Sequence, residues 1–165
     1  MRKKLLTILI LNSLCVIAYG QNWVNVSLNN RVSVDFPSKP QVQDEFSNVT
    51  FYHLDDSAYV INVRVSDIDI SYNSDSLQSL YHQAIKAKLK TEWNGKMVGE
   101  RKVKLDSYDG WEADYTALWL TAVREVPVTT RMIIIDRVLF VFDFIHLQPG
   151  QERLNETFFK SIKVK

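Results

Sequence analysis

Val138-Leu-Phe-Val-Phe-Asp-Phe-Ile-His-Leu147 is the stretch whose reading sets the fold. In an extended chain, side chains alternate between two faces. Phe140, Phe142 and Phe144 then fall on one face, and Leu139, Val141, Ile145 and Leu147 on the other. A strand apolar on both faces belongs in the middle of a sheet, with a layer packed against each side. Asp136-Arg137 just before it reads as the tight turn of a hairpin whose first arm is 126–135. Asp143 interrupts the apolar run. In a two-residue hairpin it faces Thr130, with Arg131 nearby on the opposite face. A buried carboxylate is costly unless it has a partner or opens on a cavity. Two readings stay open: a hydrogen-bonded structural Asp, or a polar group lining a pocket.

Working outward, strands are expected at 23–26 and 32–36, joined at Asn29-Asn30, since Asn tolerates positive φ. Pro37 and Pro40 end the second strand and force an extended exit. Further strands are expected at 46–54 and 58–65, around the turn Asp55-Asp56-Ser57. Asp75 or Ser76 suits an N-cap. From there Leu77, Leu80, Tyr81, Ala84, Ile85 and Leu89 recur at helical spacing as far as Trp93, with Gln78, His82, Lys86 and Lys90 on the polar side. Asn94-Gly95 stops the helix. Strands at 97–105 and 111–120 flank a turn at 106–110, and Pro149-Gly150 precedes a short helix over 151–162. Runs of consecutive strands point to an α+β domain: an antiparallel β-sheet with one long helix and a C-terminal helix packed on it.

The first twenty residues have the three parts of a secretory leader. Arg2, Lys3 and Lys4 are followed by the apolar run 5–17, and Ala18-Tyr19-Gly20 places small residues before a cut at Gln21. A spanning helix needs about 20 apolar residues, and this run is shorter. Cys15 lacks the small preceding residue of a lipidation site, because Leu14 stands there. The expectation is a signal peptide over 1–20 and a single α+β domain over 21–165. The leader carries three of the 20 basic residues, none of the 19 acidic ones and the single cysteine. The remainder thus has a net charge of −2 and no thiol. It must be stable in an oxidising compartment on its core alone. Its near-neutral charge gives no sign of a nucleic-acid surface.

Val32-Ser-Val-Asp-Phe36-Pro37, with Lys39-Pro40 after it, resembles the opening of PsbP-like and DcrB-like domains. Gly110 starting an aromatic strand is similar to their central hairpin, and Phe158-Phe159-Lys160-Ser161-Ile162 resembles their last helix. The likeness runs over nearly all of 21–165, in element order more than in identity. It implies an α/β/α sandwich, and it implies export, since many such proteins act in cell envelopes or plastid lumens. It implies no activity, cofactor or catalytic residue.

The residues nominate no catalytic, cofactor-binding or metal site. Asp67, Asp69, Ser71, Asn73 and Asp75 follow the rhythm of a calcium loop, but Tyr72 stands where glycine is needed and Gln78 where a bidentate Glu belongs. His53, His82 and His146 make no local zinc pair. No nucleophile elbow or phosphate loop is present. Trp93, Trp111 and Trp119 suit core positions or an aromatic contact surface; His82, Lys86 and Lys90 suit a solvated face or an anionic partner. The leading expectation is an exported, non-enzymatic binding or accessory protein of the bacterial cell envelope, periplasmic or extracellular, acting on a protein partner. Two alternatives accompany it. One is a carrier of a small apolar ligand between sheet and helix. The other is a hydrolase assembled from scattered residues, recognisable by a histidine meeting an acidic and a hydroxyl side chain.

Overall fold

The structure, a computed structural model, describes residues 23–46, 48–68, 74–91, 94–119 and 124–165. The expected signal peptide over 1–20 and residues 69–73 of the calcium-like run lie outside these.

Strand β9 (Val138–His146) sits inside a seven-stranded antiparallel sheet. The others are β3 (Gln41–Phe46), β4 (Val49–Asp55), β5 (Tyr59–Asp67), β6 (Met97–Leu105), β7 (Tyr108–Trp119) and β8 (Arg124–Ile135). Their order across the sheet is β3-β4-β5-β9-β8-β7-β6. The hairpin turn between β8 and β9 has Asp136 at φ 49° and Arg137 at φ 68°. Two consecutive left-handed residues match the right-handed twist of the arms, and they fix the register Thr130 opposite Asp143.

As the alternation of β9 requires, each sheet face carries its own core. On one face Phe140, Phe142 and Phe144 are fully buried with Ile61, Val63 and Ile133. That face is covered by a three-stranded sheet, β1 (Val24–Ser27), β2 (Val32–Phe36) and β10 (Lys163–Val164), in the order β1-β2-β10, and by helix α2 (Glu152–Lys160). Phe158 of α2 packs edge-on against Phe36 and Phe142. On the other face Val60, Trp111, Met132, Val141 and Ile145 pack beneath Ile85 and Leu89 of helix α1 (Ser74–Thr91). The result is the expected helix–sheet–helix sandwich, with a small extra sheet beside α2.

Several expectations needed correction. Strand β3 was missed, because Gln41-Val-Gln-Asp-Glu-Phe46 is a polar edge strand with exposed side chains at 41–44 and no apolar alternation. The chain after Pro40 re-enters a sheet instead of only exiting one. Neither Asn29 nor Asn30 takes positive φ. Asn29 shapes its turn through its side chain, whose Oδ1 accepts from the backbone of Arg31 and Val32 at 2.9 and 2.7 Å. The two-residue strand β10 carries no periodic signal at all. Gly95 is needed for close approach: a Cβ there would lie 1.8 Å from the Thr116 carbonyl oxygen. Leu77, Leu80, Tyr81, Lys90 and Trp93 have side chains outside the described residues.

Candidate functional site

On the α1 face, register places a polar row across the apolar sheet. His53 of β4 lies opposite Asn62 of β5, Asn62 opposite Asp143 of β9, and Asp143 opposite Thr130 of β8. Thr130 Oγ1 donates to Asp143 Oδ1 at 2.5 Å. The Tyr115 hydroxyl lies 3.0 Å from Thr130 Oγ1 and donates to it, since the Thr130 proton is already committed. A relay of hydroxyls thus ends on the carboxylate and polarises toward it. On the other side, His53 Nδ1 and Asn62 Oδ1 are 2.7 Å apart.

Both open readings of Asp143 hold at once: it is hydrogen-bonded, and it lines a cavity of about 320 Å³ between α1 and the sheet. Phe51, Ala84, Ile85, Val128, Ile145 and Trp119 supply apolar wall; Asn62, Arg64, Tyr115 and Asp143 supply the polar groups. That size and mixture match small-molecule pockets. Burial pushes the Asp143 carboxyl up to about 6, against the opposing pull of the Thr130 hydrogen bond and the Arg64 charge. Arg64, diagonal to Asp143 on the same face, forms no ion pair with it among the described residues; its guanidinium lies 6.0 Å from the Phe51 ring centre. The sequence pointed to Asp143 and Thr130 through their hairpin. It did not point to Asn62 or Tyr115, which reach the cleft from separate strands.

The opposite face has a second polar network, under α2. Glu112 is buried between Arg101 and Arg131, ion-paired to both. Arg131 also donates to the Phe159 carbonyl at 3.0 Å and stacks on its ring at 4.7 Å. Farther along, Thr129 donates to Asp114 at 2.8 Å, while Asn155 Nδ2 reaches Thr129 Oγ1 and His146 Nε2, each at 3.2 Å. Here a histidine, a hydroxyl and a carboxylate do come together, the feature set for a hydrolase. The order is wrong for nucleophile activation. Asp114 takes the hydroxyl proton directly, and His146 Nε2 accepts from Asn155 instead of from Thr129. Burial lowers the His146 pKa, opposed by Glu152 and Asp114, in keeping with a neutral acceptor ring.

The remaining candidates find structural places. His82 is partly buried instead of fully solvated: its ring packs at a tilt against Trp111, 4.7 Å between centres, and pairs with Glu100, which ties α1 to β6. Lys86 lies 3.6 Å from the same Glu100. Trp111 is buried in the core, and Trp119 is half-buried at the cleft. Among the described residues no three metal-ligating side chains cluster, and no helix is long and apolar enough to cross a membrane.

The solution structure of cyanobacterial PsbP from Synechocystis sp. PCC 6803 superposes with a TM-score of 0.61, over 90% of this chain and 96% of that one, at 10% identity. The fold is PsbP-like. Two other proteins share it. One is PA94 of Pseudomonas aeruginosa, a protein of unknown function (TM-score 0.51, 11% identity, 84% of this chain and 92% of that one). The other is LpqN, involved in cell envelope biogenesis of Mycobacterium tuberculosis (TM-score 0.50, 12% identity, 87% and 91%). No family model matches the chain, and neither does any curated protein. At these identities the PsbP-like likeness concerns fold, and the chemistry of the cleft belongs to this chain's own residues.

Proposed function

We propose that this chain is an exported, non-catalytic accessory protein of the cell envelope, and that it works by holding a small, mostly apolar ligand between α1 and the sheet. The observation that carries this reading is the cleft floored by Asp143: about 320 Å³ of apolar-walled space with a few convergent polar groups. The PsbP-like fold of an envelope-biogenesis protein supports the location, as does the leader-like pattern of residues 1–20. The non-catalytic part rests on the hydrogen-bond order at Asp114, Thr129 and His146, in which the histidine does not reach the hydroxyl.

Native mass spectrometry of the chain purified from its producing cells tests this. A bound species is expected, lost when Ala84→Trp fills the cleft from α1. A ligand-free protein that also binds no apolar probe would end the reading. Sequencing the N-terminus of the exported material should give Gln21.

A second reading, contact with a protein partner, is favoured by the sheet edges. Val42 on β3 is 55% exposed and Val98 on β6 is 71% exposed. Unpaired edge groups template strand addition. A photo-crosslinker at position 98 or 42 should then give a discrete adduct in intact cells; silence at both removes this reading.

A further inference from the structure

The head group of the ligand is written into the floor of the cleft. Four features of Asp143 bear on it. Thr130 is its one hydrogen-bond partner among the described residues, and it occupies Oδ1. Oδ2 therefore remains as an acceptor on a side chain that lines the cavity. Among the described residues no cation forms an ion pair with the carboxylate: Arg64, one diagonal away and exposed, lies over Phe51 and only partly offsets the cost of burial. The described α1 residues above the floor, Ala84 and Ile85, are apolar. An ionised carboxylate in such surroundings is under-solvated, and a charge-assisted hydrogen bond there is stronger than one in water. Alternative occupants fit less well. An anionic head would meet a like charge at Asp143. A purely apolar ligand would strand Oδ2 without water or partner, at a cost.

We propose that the cleft selects amphiphiles with a protonated primary amine, the ammonium group seated on Asp143 and the alkyl body along Ile85, Val128 and Ile145. This deepens the ligand-carrier reading and rests on it. Asn62, whose Oδ1 is held by His53, stands beside the head and sets how much room the ammonium has.

Eight-carbon chains suit the volume, so the test is calorimetric titration of the purified chain with octylamine, octanol and octanoate at pH 7.5. Octylamine is expected to bind about tenfold more tightly than octanol, the worth of one charged hydrogen bond, with octanoate weakest. Asp143→Asn should bring octylamine to within about twofold of octanol and leave octanol unchanged. Ala84→Trp should weaken all three together. If octanol binds and octylamine gains nothing over it, the head-group assignment fails while the carrier reading survives. If octanoate binds best, Arg64 reads an anion and the assignment is reversed. Failure of all three to bind removes the carrier reading itself. The wild-type series decides the matter even if Asp143→Asn does not fold.

Discussion

Asp143 makes the protein's stability depend on pH in an unusual direction. Its carboxyl titrates at about 6 in the fold, against 3.8 ordinarily, because burial penalises the charge. The native state therefore holds this proton more tightly than the unfolded chain does. The group's contribution is most favourable below pH 4 and is lost as pH rises toward 6, a loss of roughly 3 kcal/mol. Of the groups facing it, Thr130 from β8 and Arg64 from β5 only moderate this, and Tyr115 from β7 reaches it through Thr130. Asp143→Asn keeps the acceptor for Thr130 and removes the charge. It should raise the melting temperature at pH 7.5 and flatten the dependence between pH 4 and 6, with the two proteins converging near pH 4. A variant less stable than wild type at pH 7.5 would show that the charge is compensated. At this scale the sequence revealed what a single hairpin fixes. The turn at Asp136-Arg137 set Thr130 opposite Asp143, so that pair was legible. Asn62 and Tyr115 join through other strand pairings, and their partners are distant in sequence.

Helix α2 shows how an element short of intrinsic stability is held in place. Its nine residues are too few to be helical alone, and its N-cap Gln151 makes no side-chain hydrogen bond. Packing of Phe158 and Phe159 fixes one side, and Arg131 ties the Phe159 carbonyl to the Glu112 cluster. Glu112→Gln would leave the largely buried Arg131 without its carboxylate, while Arg101 keeps Asp114. It should destabilise the protein by about 3 kcal/mol or more in urea unfolding. Amide exchange over 158–162 should speed up as α2 loses its anchor. An unchanged midpoint would mean that aromatic packing alone holds the helix. Elements with strong periodicity were readable: β6 spans 97–105 as expected, and β9 ends one residue short of Leu147. Edge strand β3 was not, since an edge exposed to water needs no apolar alternation. Nor was the place of His82, whose polar spacing on α1 suggests solvent until β6 and Trp111 are laid beside it.

The two cores are the two faces of one sheet, and β9 belongs to both. The molecule should therefore unfold as one unit, whichever face is perturbed. Phe142→Ala empties a fully buried site on the α2 face and is expected to cost about 3–5 kcal/mol. With Trp23, which packs on the Phe142 side, changed to Phe, fluorescence dominated by the opposite face and Trp111 should report the same lowered transition as far-ultraviolet dichroism does. Two separated transitions would mean that the faces fold independently. By itself, the sequence determined the layer order: alternation along β9 demands cover on both faces, and helical spacing at 77–89 supplies one of the covers. It determined the β8–β9 register, because a two-residue turn leaves no slack. Only the tertiary structure decided that His53, Asn62, Asp143, Thr130 and Tyr115 meet beneath α1. Each of the five comes from a different strand, and their meeting depends on strand order across the sheet, which no local pattern records.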